Sequence, residues 1–387
     1  MSIKNILIIT SGYPSKEDPT RYTFVDQLAC SLADNDIDIS VISPLSKWKA
    51  SKSYSINWQR ITKKGNSINV YEPLITSYSS IQIGPINTGR WTYHSFLRAV
   101  RKQFIGLHIK HDVIYSHFLF PSGCVASRLT SQFGIPSFCS FGESSLWSVN
   151  SIGISMARRE LASITGIISV STKNKRILIE NELFSEEKIA VFPNGVNHEL
   201  FYPRDKREMR EKLGLPQDAV IGVYIGEFSE RKGVLRVAEA ARRIDGLKML
   251  FIGSGDLEPK GSGILFKGKV PHVYIPEYLS AGDFFVLPSQ EEGSCNAIIE
   301  AMACGLPIIA STGAFNDDIL AKKYSIRVEA NDIGSLEKAM KLMYLDHTIT
   351  SQMSIAAREA SKKFDIDKRA KSILNWMNWL DDLNWPA

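Results

Sequence analysis

Residues 283–311 read DFFVLPSQEEGSCNAIIEAMACGLPIIAS, and the order of residue types in this stretch decides the fold. An apolar run (DFFVLPS, 283–289) leads into a short polar loop (QEEGSC, 290–295). A helical run (NAIIEAMACG, 296–305) follows, and then a second apolar run (LPIIAST, 306–312). Short β-rich runs separated by a helix predict a βαβ unit of a parallel sheet. Glycine at the end of the helical run, at position 305, is a common stop. The loop then lies at the carboxyl end of a strand, beside a helix N-terminus, where such sheets bind ligands. Gly293, Ser294, Cys295 and Asn296 are small enough to let backbone N–H groups approach a ligand. With the helix N-terminus they form an anion site suited to phosphate.

Two acids flank this loop. Glu292 sits within it, and Glu300 lies one helical turn further on, on the side of Asn296 by i, i+4 spacing. In one reading Glu292 serves the helix dipole and Glu300 is a surface acid. In the other, Glu300 is the sole acid of a buried helix, because 297–304 are otherwise apolar or small. An isolated buried carboxylate is costly and is usually kept for a partner. A carboxylate here can accept two hydrogen bonds from a vicinal diol such as a ribose.

The alternation extends in both directions. Strand-like runs at 5–11, 38–44, 112–117, 136–141, 166–171 and 189–195 alternate with helical ones at 23–35, 121–132 and 155–164. The series restarts with strands at 219–228, 247–255 and 262–270, and helices at 233–244, 275–282, 333–345 and 350–364. The chain has 387 residues, which suits two domains of ~150–200 residues each. The expected fold is α/β: two Rossmann-like parallel-sheet domains facing a central cleft. The expected bounds are 1–195 for the first domain, 196–367 for the second, and 368–387 for a C-terminal helix returning to the first domain.

Composition narrows the class further. The apolar and charged fractions are those of a soluble globular protein. No apolar run reaches the ~18–20 residues of a membrane span. MSIKNILIITSG reads as a first strand and not as a signal peptide. Five scattered cysteines without a C-x-x-C argue for a reducing cytosol and against disulfides or zinc. From Lys47 to Lys110 there are eleven Lys/Arg, among them Lys49, Lys52, Arg60, Lys63, Lys64, Arg98, Arg101 and Lys102, against the single acid Glu72. Trp48, Tyr54, Trp58, Trp91, Tyr93 and Phe96 are mixed in. This section reads either as a solvated face over ordinary core aromatics or as a surface for anionic lipid headgroups or a phosphorylated acceptor. No nucleic-acid reading motif accompanies the charge, so nucleic acid is not an expected partner.

PSQEEGSCNAIIEAMACGLPIIAS resembles the E-x7-E signature of the retaining glycosyltransferases of family 4, which have the GT-B fold. VFPNGVNHELFYP (191–203), GVYIGEFSERKGVLRVAEA (222–240) and DVIYSHFLFPSGCVAS (112–127) are similar to further segments of that family, in the same order and spacing. The resemblance covers most of the chain. It implies a nucleotide-sugar donor held mainly by the second domain, with Lys232 on the diphosphate and Arg231 beside it. It further implies Glu300 on the ribose and Glu292 on the donor sugar's hydroxyls, with Gly293, Ser294, Cys295 and Asn296 donating N–H groups. Gly226 opens the phosphate loop, Lys269 and Val270 flank the base, and Gly12 faces the phosphates from the first domain. His117 is the candidate for a sugar contact, with a structural histidine as the alternative, and Glu143 is a second candidate for acceptor contact. Charge-assisted bonds to a leaving diphosphate strengthen as the glycosidic bond breaks. The implied chemistry is front-face transfer with retained configuration, without cofactor or metal.

The pattern departs from the family at three places. Glu227 stands where a diphosphate arginine is expected, Phe141 precedes Gly142 where a histidine is common, and Tyr22 stands where glycine often sits. These departures keep open a non-catalytic scaffold or sugar-nucleotide sensor. A D-x-D match at 36–38 lies at the entry of a strand, the wrong end for ligand binding. The expected activity is sugar transfer from a nucleotide-sugar, UDP favoured over GDP, to a saccharide or lipid-linked saccharide in bacterial surface polysaccharide synthesis. The expected location is cytoplasmic and peripheral on the inner face of the plasma membrane through 45–110.

Overall fold

The computed structural model describes residues 3–15, 18, 21–50, 54–78, 82–83, 86–87 and 89–384. The chain divides into one unit running through Phe192 and resuming at Arg369, and a second from Pro193 to Lys368. The first boundary falls three residues before the one expected from sequence. Phe192 packs on Trp376, which places it with the first unit. Val196 instead exchanges backbone hydrogen bonds with Phe364 and Ile366, which places the Pro-Asn-Gly segment with the second.

The first unit holds an eight-stranded sheet in the order Ile189–Val191, Gly166–Ser169, Ser137–Phe141, Val113–His117, Asn5–Ile9, Asp38–Ile42, Ser67–Tyr71, Asn57–Ile61. All neighbours are parallel except the last pair. Alternate residues of the first strand serve opposite cores, as the period of two requires. Leu7 and Ile9 meet the helix Gly89–Leu107 through Tyr93, Phe96, Val100 and Phe104. Ile6 and Ile8 meet the helices Thr23–Ala33 and Ile366–Asn384, the latter through Ala370, Ile373, Met377 and Leu380. The closing helix is thus held by an apolar stripe at helical spacing. Trp376 fills the gap beside Gly166, and Trp379 is exposed; Trp385 lies outside the described residues.

The basic section contributes to this sheet. The hairpin Asn57–Ile61 and Ser67–Tyr71 extends it, and Gly89–Leu107 covers one face. Arg60 is committed to a two-pronged bond with Asp26 at 3.0 Å, and Trp58 donates to Glu72 at 3.0 Å. Both residues therefore belong to the framework and not to a free cationic surface. Lys52 lies outside the described residues.

The second unit is a six-stranded, wholly parallel sheet in the order Ile264–Gly268, Lys248–Ile252, Ile221–Ile225, Phe284–Leu287, Ile308–Ser311, Ser325–Val328. Its strands are nearly continuous hydrophobic runs because helices cover both faces. The order reverses between Ile221–Ile225 and Phe284–Leu287, and the loops leaving these two strands begin at Gly226 and Pro288. Loops at such a switch point bound the crevice in which doubly wound sheets bind ligands.

Candidate active site

The loop after Ile221–Ile225 turns at Gly233, whose φ of +77° suits glycine. The turn feeds the helix Val234–Arg242 and carries Arg231 and Lys232. The loop after Phe284–Leu287 carries Glu292 and feeds the helix Asn296–Ala303. Across the switch point Lys232 Nζ donates to Glu292 Oε1. Arg231 Nη1 donates to the Glu291 carbonyl at 2.8 Å and lies 3.7 Å from Glu292 Oε1. Three residues expected at the donor site are therefore brought together. The departure at Glu227 joins them: its Oε2 lies 3.6 Å from Arg231 Nη2, so this acid faces the cation that would supplement Lys232.

The backbone N–H groups of Gly293, Ser294, Cys295 and Asn296 donate to no protein acceptor among the described residues. Three side-chain oxygens on the same two loops, Ser229 Oγ, Ser289 Oγ and Asn296 Oδ1, are shielded from solvent without a partner. Most buried polar groups find one, so these free donors and acceptors are available to a polar ligand. Ser294 is held from the other side, its carbonyl accepting from Asn194 Nδ2 at 3.2 Å. The Cys295 thiol points into the core and burial pushes it up to about 11, so only its backbone is available.

Glu300 is buried on its helix, among Ile298, Ile299, Ala301 and Met302. Its Oε1 lies 2.8 Å from His272 Nε2. Burial pulls the His272 pKa down, but the hydrogen bond and charge of Glu300 outweigh burial and hold it above the ordinary value. Sequence reading missed His272, although it stands two residues past Val270 on the loop expected to flank the base. That loop reaches Glu300 through His272. Lys269 is exposed and Val270 packs against the core edge.

In the first unit the order of strands reverses between Asn5–Ile9 and Val113–His117. Gly12 follows the first of these strands and lies under the Tyr22 ring. A Cβ there would come within 1.9 Å of that ring, and Thr10 Oγ1 satisfies both the N–H and the carbonyl of Gly12. His117 ends the second strand, buried against Phe24 and Phe118. Burial, with a smaller push from the Arg369 charge, brings it down to about 3, so it is a neutral imidazole. Phe141 is fully buried in the core and offers nothing to a ligand. Glu143 follows the neighbouring strand, accepts from Ser148 Oγ at 2.7 Å, and is pushed up to about 7 by burial, against the lowering effect of that bond.

Comparison with known proteins agrees with this architecture. Residues 23–200 match the family Glycosyltransferase Family 4, and residues 205–360 match Glycosyl transferases group 1. A Bacillus subtilis (strain 168) protein named for teichuronic acid biosynthesis, the glycosyltransferase TuaC, is 27% identical, with 95% of this chain and 96% of the relative aligned. The Escherichia coli UDP-Gal:alpha-D-GlcNAc-diphosphoundecaprenol alpha-1,3-galactosyltransferase is 30% identical over 54% of this chain and 59% of its own. Among solved structures, sucrose-phosphate synthase from Thermosynechococcus elongatus superposes with a TM-score of 0.77 at 20% identity, covering 97% and 99% of the two chains. HepE from Anabaena, in complex with UDP, superposes at 0.71 with 15% identity, covering 97% and 100%. The chain belongs to the family 4-type glycosyltransferases and has the GT-B fold.

Proposed function

We propose that this protein transfers a sugar from a nucleotide-sugar, UDP-linked in preference to GDP-linked, with retained configuration, to a saccharide or lipid-linked saccharide acceptor in bacterial surface polysaccharide synthesis. One observation carries the donor half of this reading. Lys232, Arg231 and Glu292 converge with free N–H groups at the switch point, and Glu300 stands one helical turn away. A diphosphate placed on the N–H groups draws Lys232 from Glu292 and leaves that carboxylate for the sugar hydroxyls. The bond from the anomeric carbon to the diphosphate breaks, and the acceptor oxygen bonds to the same face. The acceptor's proton passes to the departing phosphate oxygen. Lys232 and the N–H dipoles stabilise charge as it develops on the leaving group, which lowers the barrier, and positioning supplies much of the rest.

The acceptor half rests on chemistry and on relatives. The E. coli relative is named for a UDP-sugar donor and a diphosphoundecaprenol-linked acceptor. On this chain the outward face of Gly89–Leu107 presents Trp91, His94, Arg98, Arg101, Lys102 and Ile105, and the helix carries no acid. Such a face suits peripheral contact with anionic lipid. No helix of the described residues is long and apolar enough to cross a membrane.

Glu227 favours a second reading, a scaffold that binds nucleotide without transfer, because it places an acid against Arg231. Incubation with a panel of UDP- and GDP-sugars and a detergent-dispersed polyprenyl-diphosphate-linked sugar separates the two. Transfer, with an α-linked product from an α-linked donor by NMR, is the expected result. Nucleotide binding without turnover on any acceptor would favour the scaffold, and an inverted product would overturn the retaining mechanism.

A further inference from the structure

His272 lies in the second unit, on the short helical turn His272–Tyr274 that enters the helix Ile275–Ala281. Its ring meets two groups from other parts of that unit. One is Phe201, fully buried, with ring centroids 5.2 Å apart. The other is Glu300, whose Oε1 lies 2.8 Å from Nε2. Glu300 Oε2 has no protein partner among the described residues. The carboxylate is thus held by one oxygen and presents the other.

We propose that His272 is a positioning residue that fixes the Glu300 carboxylate for the ribose hydroxyls of the donor nucleotide. This rests on the reading of Glu300 as the ribose ligand. The physical basis is the softness of the last torsion of glutamate, which is broad and nearly two-fold when nothing holds it. A buried carboxylate free to rotate must be ordered when the ligand arrives, and ordering a side chain subtracts from affinity. An imidazole packed on Phe201 and bonded to one carboxylate oxygen removes that freedom beforehand. Its N–H also satisfies one oxygen that bound ligand would otherwise leave buried and unpaired. His272 touches no reacting atom, so its effect falls on nucleotide affinity and not on turnover.

The test compares one pair of ligands across four proteins. The ligand pair is whichever of UDP and GDP raises the melting temperature more, and its 2′-deoxy counterpart, with the 3′-deoxy compound as a second probe. Affinities are measured by calorimetry on the wild type, His272→Leu, His272→Gln and Glu300→Gln, with kcat and donor KM alongside. The wild type is expected to prefer the ribonucleotide. His272→Leu is expected to weaken the ribonucleotide by about threefold to tenfold, the usual worth of one hydrogen bond, with the deoxy ligand hardly changed. Donor KM rises with it while kcat stays within about twofold, as for loss of uniform binding. His272→Gln, which keeps an N–H donor, restores most of the loss.

Equal weakening of both ligands would mean that His272 only maintains local structure, and unchanged affinity would mean that it holds nothing of consequence. Either result overturns the proposal. Should His272→Leu not fold, His272→Asn supplies the same comparison, since its amide is too short to reach Glu300. Glu300→Gln separates the two layers of the argument. If it abolishes ribose discrimination while His272→Leu does not, only the role of His272 is lost. If it leaves discrimination as in the wild type, the ribose reading of Glu300 is itself wrong.

Discussion

Lys232 donates to Glu292 across the point where strand order reverses in the second unit, so the two residues expected at opposite ends of a donor's diphosphate and sugar are each other's partners. Both side chains are largely shielded from water. Removing Lys232 takes the nearer cation from a shielded carboxylate and leaves it the more distant Arg231 at 3.7 Å, whereas removing both members of the pair leaves no carboxylate to compensate. We therefore expect Lys232→Gln to lower kcat/KM by about 10²–10³-fold, the scale of losing a principal charge stabiliser. We also expect it to lower the melting temperature. Glu292→Gln should lower kcat more than it raises donor KM. The double variant should recover melting temperature relative to Lys232→Gln but not activity; a strictly additive cycle in both readouts would show that the pair is not coupled.

Glu227 offers a gain-of-function test. It lies 3.6 Å from Arg231, on the loop that would meet the diphosphate, and is more than half exposed. Replacing it with arginine removes a competitor for Arg231 and adds a cation capable of two parallel bonds to phosphate. Donor KM is expected to fall severalfold with little change in kcat. A rise in donor KM would indicate that Glu227 holds Arg231 in its productive place.

Much of this was legible in the sequence, for identifiable reasons. The strand-loop-helix reading of 283–305 depended on residue types with strong local preferences, and Phe284–Leu287 and Asn296–Ala303 form where those preferences place them. Glu292 could be singled out because its loop is fixed by the flanking strand and helix, whereas Lys232 was implied only by the resemblance of 222–240 to a segment of the family. His272 could not, since its importance arises from a contact with a residue 28 positions away that no periodicity encodes. The role of Arg60 was hidden likewise. Read along the chain it belongs to a basic run, and only the hairpin's place in the sheet turns it toward Asp26. The helices Thr172–Glu180 and Lys206–Lys212 were also missed; both are short and rich in charged residues, with few apolar positions to reveal a period.

Glu143 makes a prediction about pH. Burial raises its carboxyl to about 7, so the folded protein binds a proton there that the unfolded chain releases nearer 4.5. The resulting stabilisation is complete below the unfolded value and disappears as pH climbs through about 7. Glu143→Gln keeps the neutral shape at every pH. Its melting temperature relative to the wild type should therefore increase between pH 5.5 and pH 8.5. A difference that stays flat over that range would show that Glu143 is not held neutral.

The exposed face of Gly89–Leu107 makes a prediction about salt. Arg98, Arg101 and Lys102 lie on it with Trp91 and Ile105. Charge attraction to a lipid surface decays within about 8 Å at physiological ionic strength. Co-sedimentation with vesicles containing phosphatidylglycerol should fall steeply from 50 to 500 mM salt, and changing all three basic residues to glutamine should abolish it. Binding that persists at high salt in the triple variant would place the contact elsewhere.

Two glycines, one packed against the closing helix and one on the exposed side of Gly89–Leu107, carry opposite expectations. At Gly166 a Cβ would lie 2.7 Å from Leu380 Cδ2 and from the far edge of the Trp376 indole, and 2.9 Å from Phe138. Phe138 and Phe192 hold that indole on two sides, so it cannot swing away cheaply. Gly166→Ala should therefore cost about 1–3 kcal/mol, the usual penalty for overfilling a packed site, and should expose the segment after Ile366 to protease. At Gly106, near the exposed end of Gly89–Leu107, a Cβ meets nothing within 4 Å. Gly106→Ala should instead stabilise by roughly 0.5–1 kcal/mol, because alanine has less backbone freedom to lose. Both changes lie in the first unit, whereas the proposed nucleotide site lies in the second. A two-unit protein need not unfold in one step, and nucleotide raises the stability only of what binds it. Scanning calorimetry with and without UDP should show the two substitutions moving one transition in opposite directions and leaving the nucleotide-sensitive one in place. If Gly166→Ala melts at the wild-type temperature, the closing helix is not locked by this contact.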